Sequence, residues 1–463
     1  MLSYVYMSEQ LLSEEKVSKS EACDEGLYES FSEVASFQAY EHFDGELGYR
    51  NQQKHLFIEG EIENPQLDYP GIGLEKLDSI ENDLLDLKRN LLLNEQNEVV
   101  KQAYRWRLNE KIAEVRLLRS VAIGDMKRFG RYSEFIYGKP SQDVFAYTIN
   151  SVISDIKGLG SSTDQSISQL ASELIKMLPE MDNPRISELP NQQTVDYASA
   201  QTNMELGGLY DMPAEATKLD SEQIRDAFDT ALEQMGDSGW NVVIDAKTSK
   251  TGVSVDQEGK QINIPQSRSV GNAKLASLIV HEIGTHVARR INGERSQLKL
   301  LGLGLDRYES GDEGVATMRE QALSGKVDDF RGIDGLLAVG LALGIDGEPR
   351  NFRQVYEILE KYYLLKNLTK GKEFDEANEK AQTTAWNRCV RTFRGTDCKT
   401  PGVCFTKDII YREGNIGVWD VIKNNPEEML RFNIGKYDPA NSRHLWILEQ
   451  LGISDQDLAR LEQ

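Results

Sequence analysis

The 463-residue chain carries 53 Lys+Arg against 75 Asp+Glu, a formal net charge of −22, with 39% hydrophobic residues, 28% charged residues, five His and four Cys. This is ordinary globular composition, long enough to bury a sizeable core, and it excludes collagen-like, low-complexity and wholly disordered classes. The acidic balance argues against nucleic acid and anionic membranes as partners, because both call for a dense Lys/Arg footprint.

Residues 1–50 hold eleven Asp/Glu and three Lys/Arg, a balance that predicts a solvated, poorly ordered acidic arm. No basic stretch followed by an apolar one opens the chain, so no secretory signal is expected. From Leu74, the residues Leu77, Ile80, Leu84, Leu87 and Leu91 recur at three- and four-residue steps, the stripe of an amphipathic helix. A second run passes through Ala103, Trp106, Ile112, Val115 and Leu118, so residues 51–200 read as a helical subdomain. The polar segment from Pro184 to Thr202, with Pro184 and Pro190 in it, reads as a linker.

Ser221 to Met235 has a helical pattern. Three short strand patterns follow, Trp240 to Ile244, Gly252 to Val255 and Ile262 to Ile264, and their turn-like spacing predicts a small antiparallel sheet. A helix from about Asn272 to Ile291 comes next, with Asn292-Gly293 as its expected stop. The expected fold class is α+β, mostly helical and zincin-like, with residues 201–463 forming the catalytic core and residues 51–463 a single catalytic region. Gly335 to Ile345, the longest apolar stretch, is about half of the roughly 20 residues that span a bilayer. Cys389, Cys398 and Cys404 lack the close pairs of a structural zinc site and, with Cys23, read as free thiols in a reduced, cytoplasmic setting.

The predicted Asn272–Ile291 helix contains His281-Glu282-Ile283-Gly284-Thr285-His286, which brings two of the five His together around a Glu. Imidazole is a strong zinc ligand, and a carboxylate beside a ligand can serve as base toward a water on the metal. In H-E-x-x-H the two His share a helix face; at a spacing of five they lie about 140° apart on a regular α-helix, at ~100° per residue. A local π-type widening would turn both rings the same way, and Gly284 between them would ease it. A third ligand is expected from Gly311-Asp312-Glu313-Gly314-Val315-Ala316. There spacing favours Glu313 modestly and leaves Asp312, Glu309 and Glu320 as competitors. The Ile262 to Ile264 strand stands where many zinc peptidases pair a strand with extended substrate.

His281 to His286, then Asn292-Gly293, Gln297 and Glu313-Gly314-Val315-Ala316 resemble the signature of the microtubule-associated tyrosine carboxypeptidase family. Its bacterial relatives are the flavohemoglobin expression-modulating QEGLP-motif and tyrosine/phenylalanine carboxypeptidase domain proteins. The resemblance extends to Asn64-Pro65 with Tyr69, to Phe135 through Pro140, to Arg391-Thr392-Phe393-Arg394-Gly395, and to Phe405-Thr406-Lys407-Asp408 with Tyr411. It departs at Val315, where many members have Leu, and in an insertion-like stretch from Thr396 to Val403.

The resemblance implies one Zn2+ per chain held by His281, His286 and Glu313, with Glu282 as the catalytic acid/base. It also implies removal of a C-terminal residue, often aromatic, from a protein or peptide. Arg391, Arg394 and Lys407 are candidates for the substrate carboxylate, since guanidinium and ammonium groups pair with it, and Tyr411 is a candidate transition-state donor. The alternatives are a zinc endopeptidase, a dipeptidyl peptidase, which also uses H-E-x-x-x-H, or a non-catalytic regulatory protein that keeps the metal fold.

Overall fold

The computed structural model describes residues 22–454 and 457, apart from 44, 70–72, 161, 163, 183, 187, 211–217, 237–238 and 247–251. The described chain is mostly helical with one three-stranded sheet. The Leu74 stripe forms the helix Leu74–Asn94 and buries Leu77, Leu84 and Leu91. Its partner, Glu98–Ile123, starts where the Asn97 side chain accepts from the N–H groups of Val99 and Val100, and stops at Gly124, whose φ of 71° suits glycine. These two helices share a core with Phe31, Phe129, Leu298 to Leu305 and Ile447 to Ile453.

The acidic-arm expectation needs correction where the chain is described; residues 1–21 lie outside the described part. Residues Glu25–Ala35 form a helix that buries Phe31 edge-on against Tyr104. Asp24 is itself buried, accepting from Tyr104 Oη (2.7 Å) and from the N–H groups of Lys299 and Leu300 (2.8 and 2.9 Å). Net charge misleads here because a few aromatic anchors and one fully satisfied carboxylate suffice to dock a short segment.

The linker expectation for Pro184 to Thr202 also fails over its second half. Asn191 accepts from the Thr194 N–H and starts a helix, Gln192–Leu206, whose Val195, Ala198, Thr202 and Leu206 are buried. Its apolar face is built from small residues, so the polar composition concealed the three- and four-residue steps.

The sheet consists of β1 (Asn241–Asp245), β2 (Ser254–Asp256) and β3 (Gln261–Pro265) in the order β1-β3-β2. It is mixed, not antiparallel as expected: β2 and β3 form an antiparallel hairpin, and β1 pairs parallel to the other side of β3 with Val242 opposite Ile262. The tight 257–260 turn holds β2 at one edge of β3, which leaves the opposite edge for β1. With both edges paired, β3 has none to offer an extended peptide, so the substrate-pairing expectation for Ile262 to Ile264 is also corrected. The buried side chains of β3, Ile262 and Ile264, pack with the Ser221–Gln234 helix and with Ile279, Ile283 and Val287. This seats the His-bearing helix on the sheet.

That helix runs unbroken from Asn272 through Arg295, past the expected stop. Gly293 serves a different purpose: a Cβ there would lie 2.3 Å from Gly302 N, so its absence lets the Leu300–Leu303 turn pack directly on the helix. On the other flank, the helix Glu309–Leu323 packs against Ile409–Asn424. Cβ atoms at Gly314 and Gly414 would fall 2.4 Å from Gly414 O and 2.0 Å from Ser310 O. These glycines allow the two helices to cross at backbone contact, bringing Glu313 and Tyr411 to the same side. No described helix is long and apolar enough to cross a membrane.

Candidate active site

Residues Ile279–Val287 are a π-helical segment between α-helical flanks. The widening is visible in i→i−5 bonds: the Ala288 N–H donates to Ile283 O, and Thr285 Oγ1 donates to Val280 O at 2.9 Å. The five-residue spacing of His281 and His286 therefore closes on one side, with ring centroids 5.0 Å apart.

Two contacts that spacing could not reveal support the widened turn. The fully buried Arg319 donates to Gly284 O (2.9 Å) and Thr285 Oγ1 (3.2 Å), supplying a donor to a carbonyl in the widened turn. Arg319 is anchored in turn by Asn433 Oδ1 (2.9 Å) and Glu205 Oε2 (2.6 Å). Gly284 also lies close to a neighbour, since a Cβ there would lie 2.8 Å from Leu206 Cδ1 and the leucine would have to shift.

Glu313 reaches the His pair from the Glu309–Leu323 helix. Its Oε2 lies 3.7 Å from His281 Nε2 and 4.0 Å from His286 Nε2, and one donor atom from each of the three residues falls within 4.8 Å of the others. Tetrahedral zinc with bonds of ~2.0–2.1 Å needs ligand atoms about 3.3 Å apart, so each gap is within about 1.5 Å of that geometry. Both Nδ1 atoms point away from this focus. His281 Nδ1 meets Glu320 Oε1 at 2.6 Å, and His286 Nδ1 meets Asp312 Oδ2 at 2.8 Å. The Arg289 guanidinium in turn holds Asp312 Oδ1 at 2.7 Å, and Ser277 and Lys274 hold Glu320 at 2.8 and 3.1 Å.

Carboxylate behind imidazole is the arrangement that turns the free Nε2 lone pair toward a cation. Asp312 and Glu320, two of the competitors for third ligand, thus stand behind the His rings, and the remaining one, Glu309, pairs with Lys407. The residues present fit a tetrahedral cation with an open fourth position.

Electrostatics follow the geometry. Burial works against charge on His281, yet Glu282, Glu320 and Glu313 outweigh it and raise its pKa to about 9. Burial would raise Glu320, but the hydrogen bond and charge of His281 together with Lys274 bring it down to about 2. Asp312, equally buried, is held well below the carboxylate range by His286 and Arg289. Burial raises the Glu282 pKa, opposed by the two His and reinforced by Glu313 and Glu320. Among the described residues Glu282 makes no hydrogen bond or ion pair, so both its oxygens are available.

The four expected substrate contacts separate into two groups. Arg391 and Tyr411 line an open cavity of about 840 Å³, and Glu313, followed by burial, raises the Tyr411 phenol pKa well above its usual value. Arg391 grips Asp408 through Nε and Nη2 at 3.0 and 2.7 Å, and Arg388 adds a third bond at 2.7 Å. Lys407 is buried with its ammonium on Glu309 and over the rings of Tyr40 and Tyr137. Arg394 lies half-buried over Phe405 (4.7 Å) and Tyr40 (5.9 Å). His444 is fully buried and receives the Asp438 N–H on Nδ1, far in role from the pair at 281 and 286.

Residues 185–456 match the family model described as microtubule-associated tyrosine carboxypeptidase, a span that includes His281, Glu282, His286, Glu313 and the four expected substrate contacts. Among curated proteins, the human microtubule-associated tyrosine carboxypeptidase 1 is 28% identical over 200 residues, covering 41% of this chain. The aligned region spans 37% of the human protein's length.

Proposed function

Given that the chain belongs to the microtubule-associated tyrosine carboxypeptidase family, we propose that it is a zinc-dependent metallocarboxypeptidase that removes a C-terminal aromatic residue, tyrosine or phenylalanine, from a protein or peptide. The observation that carries this reading is the convergence of His281 Nε2, His286 Nε2 and Glu313 Oε2 beside the unengaged Glu282. The aromatic preference is taken from the family name and that of its human member. A cytoplasmic setting rests on four free thiols, three of them buried, which suit a reducing compartment.

In this reading His281, His286 and Glu313 hold the ion, and Asp312 and Glu320 fix the imidazole orientation from behind. Zinc so held supplies Lewis acidity toward the scissile carbonyl and makes a water acidic enough to attack near neutral pH. A Glu282 oxygen, free of any partner among the described residues, accepts the proton of the attacking water and later delivers it to the leaving amine nitrogen. Tyr411, whose phenol feels the charge of Glu313, would donate its hydroxyl proton in a hydrogen bond to the oxygen that gains charge as the carbonyl is attacked. Arg391, Arg394 and Lys407 shape the cationic and aromatic surroundings of the departing residue.

Digestion of a C-terminally diverse peptide library by the purified chain, read by mass spectrometry, tests this. Release of single C-terminal amino acids, abolished by a chelator and restored by zinc, is expected. Internal fragments would identify an endopeptidase, and N-terminal dipeptides a dipeptidyl peptidase. No hydrolysis at full zinc occupancy would leave a regulatory role.

A further inference from the structure

A carboxypeptidase must hold a free α-carboxylate, and this inference rests on that reading. Donors that no protein carboxylate already occupies suit this best, because an occupied donor must give up one ion pair to form another. Arg388 and Arg391 both direct donors to Asp408, and Lys407 is bound to Glu309. Arg394 faces the rings of Phe405 and Tyr40. Lys326, at the cavity rim, is paired with Asp328 at 2.7 Å.

Arg394 also has no carboxylate partner among the described residues, but it does not line the cavity, and Arg331 alone of these combines an unpaired guanidinium with a place on the cavity wall. It lines the same 840 Å³ cavity as Tyr411 and Arg391, it is exposed, and its guanidinium makes no hydrogen bond or ion pair among the described residues. Its backbone, by contrast, is tightly held. The Arg331 N–H donates to Asn415 Oδ1 at 2.9 Å, and Asn415 Nδ2 donates to Thr317 Oγ1 at 3.1 Å and Gln321 Oε1 at 2.9 Å. Thr317 lies one helical turn beyond Glu313 and donates to its carbonyl at 2.7 Å.

On its other side the segment rests on Tyr411. Gly332 has a φ of +86°, and a Cβ there would fall 2.9 Å from Tyr411 Cβ and 2.6 Å from Arg412 N. An exposed side chain without a partner among the described residues is thus mounted on a hydrogen-bonded segment between the Glu313 helix and Tyr411, on the wall of the open cavity. We propose that Arg331 binds the α-carboxylate of the substrate's C-terminal residue and so makes the enzyme trim chain ends in preference to internal bonds.

The test compares the zinc-loaded full chain with its R331A and R331K variants on one peptide made as free acid and as C-terminal amide. Because only the backbone of Arg331 is engaged, both variants should keep the wild-type melting temperature and zinc content. R331A is expected to lose about 10- to 150-fold in kcat/KM on the free acid, the range for one charged hydrogen bond, mainly through KM. It should also lose the preference for acid over amide, with R331K recovering part of both. Calorimetric titration with N-acetyl-L-tyrosine should show binding to the wild type and not to R331A, while its amide should bind neither. Unchanged KM and unchanged N-acetyl-L-tyrosine affinity in R331A would overturn the role of Arg331 and leave carboxypeptidase activity standing. A wild type that cleaves only internal bonds would overturn both readings together.

Discussion

Glu282 and Glu313 lie near each other, yet their surroundings assign them different work. Glu313 faces both imidazole Nε2 atoms, whereas Glu282 has no partner among the described residues and a pKa raised by burial. Replacing Glu282 by Gln keeps shape and removes the proton acceptor, so Glu282→Gln should retain about one zinc per chain by elemental analysis. Its turnover should fall by about 10²- to 10⁴-fold, the usual worth of general acid–base catalysis. Zinc loss in this variant would instead make Glu282 a ligand. Asp312 acts at one remove, through His286 Nδ1 and Arg289. Asp312→Asn should weaken zinc binding about 10- to 100-fold, measured by competition with a chelating dye, with kcat at saturating zinc affected far less. The H-E-x-x-x-H residues were legible in the sequence because they are local. The choice of Glu313 over Asp312, Glu309 and Glu320 came from the family resemblance and only modestly from spacing, because all four lie on one helix and tertiary placement decides which faces Nε2 and which Nδ1.

The element that makes the site work is the π segment Ile279–Val287, and its need could be inferred from a spacing of five between ligands. What sustains it lies far away in sequence. Arg319 donates to Gly284 O and Thr285 Oγ1 through Nη1 from a helix more than thirty residues on, while Asn433 also meets Nη1 and Glu205 holds Nη2. Arg319→Met fills the same space without donors. It should cost about 1–3 kcal/mol for each buried acceptor left unpaired in denaturant unfolding, and it should lower zinc affinity by relaxing the turn that aligns the rings. Unaltered zinc affinity with reduced stability would show that the turn holds without Arg319. Long apolar stripes such as Leu77, Leu84 and Leu91 were readable because burial repeats within one helix. The parallel pairing of β1 with β3, the Gln192–Leu206 helix and the docking of Phe31 were not, since each depends on a partner distant in sequence.

For the whole molecule, the formal charge of −22 gives no hint of how charge is distributed at the site, where one imidazole and one carboxylate shift in opposite directions. Glu320 has its pKa depressed to about 2, so it contributes stability above the ordinary Glu value of 4.5 that is lost as pH falls from there toward 2. His281 is raised from 6.5 to about 9, so its contribution is complete below pH 6.5 and lost as pH rises through 9. Both contributions are therefore complete only between roughly pH 4.5 and 6.5, and the pH dependence of melting temperature that this pair causes in the metal-free chain should be flatter when Glu320 is replaced by Gln. Zinc changes the alkaline limb, because a ligand imidazole must be neutral. At pH 7 His281 is almost wholly protonated in the metal-free chain, and ligation must expel that proton. Calorimetric titration with zinc in buffers of different ionisation enthalpy should thus show His281 contributing about one released proton per zinc at pH 7, fading above pH 9. With Glu320 replaced by Gln, the carboxylate hydrogen-bonded to His281 Nδ1 is removed, so proton release at pH 7 should fall and zinc affinity should depend less steeply on pH. Proton release unchanged by Glu320→Gln would mean that the Glu320 contact does not set the charge of His281 and that Glu282 and Glu313 alone hold it.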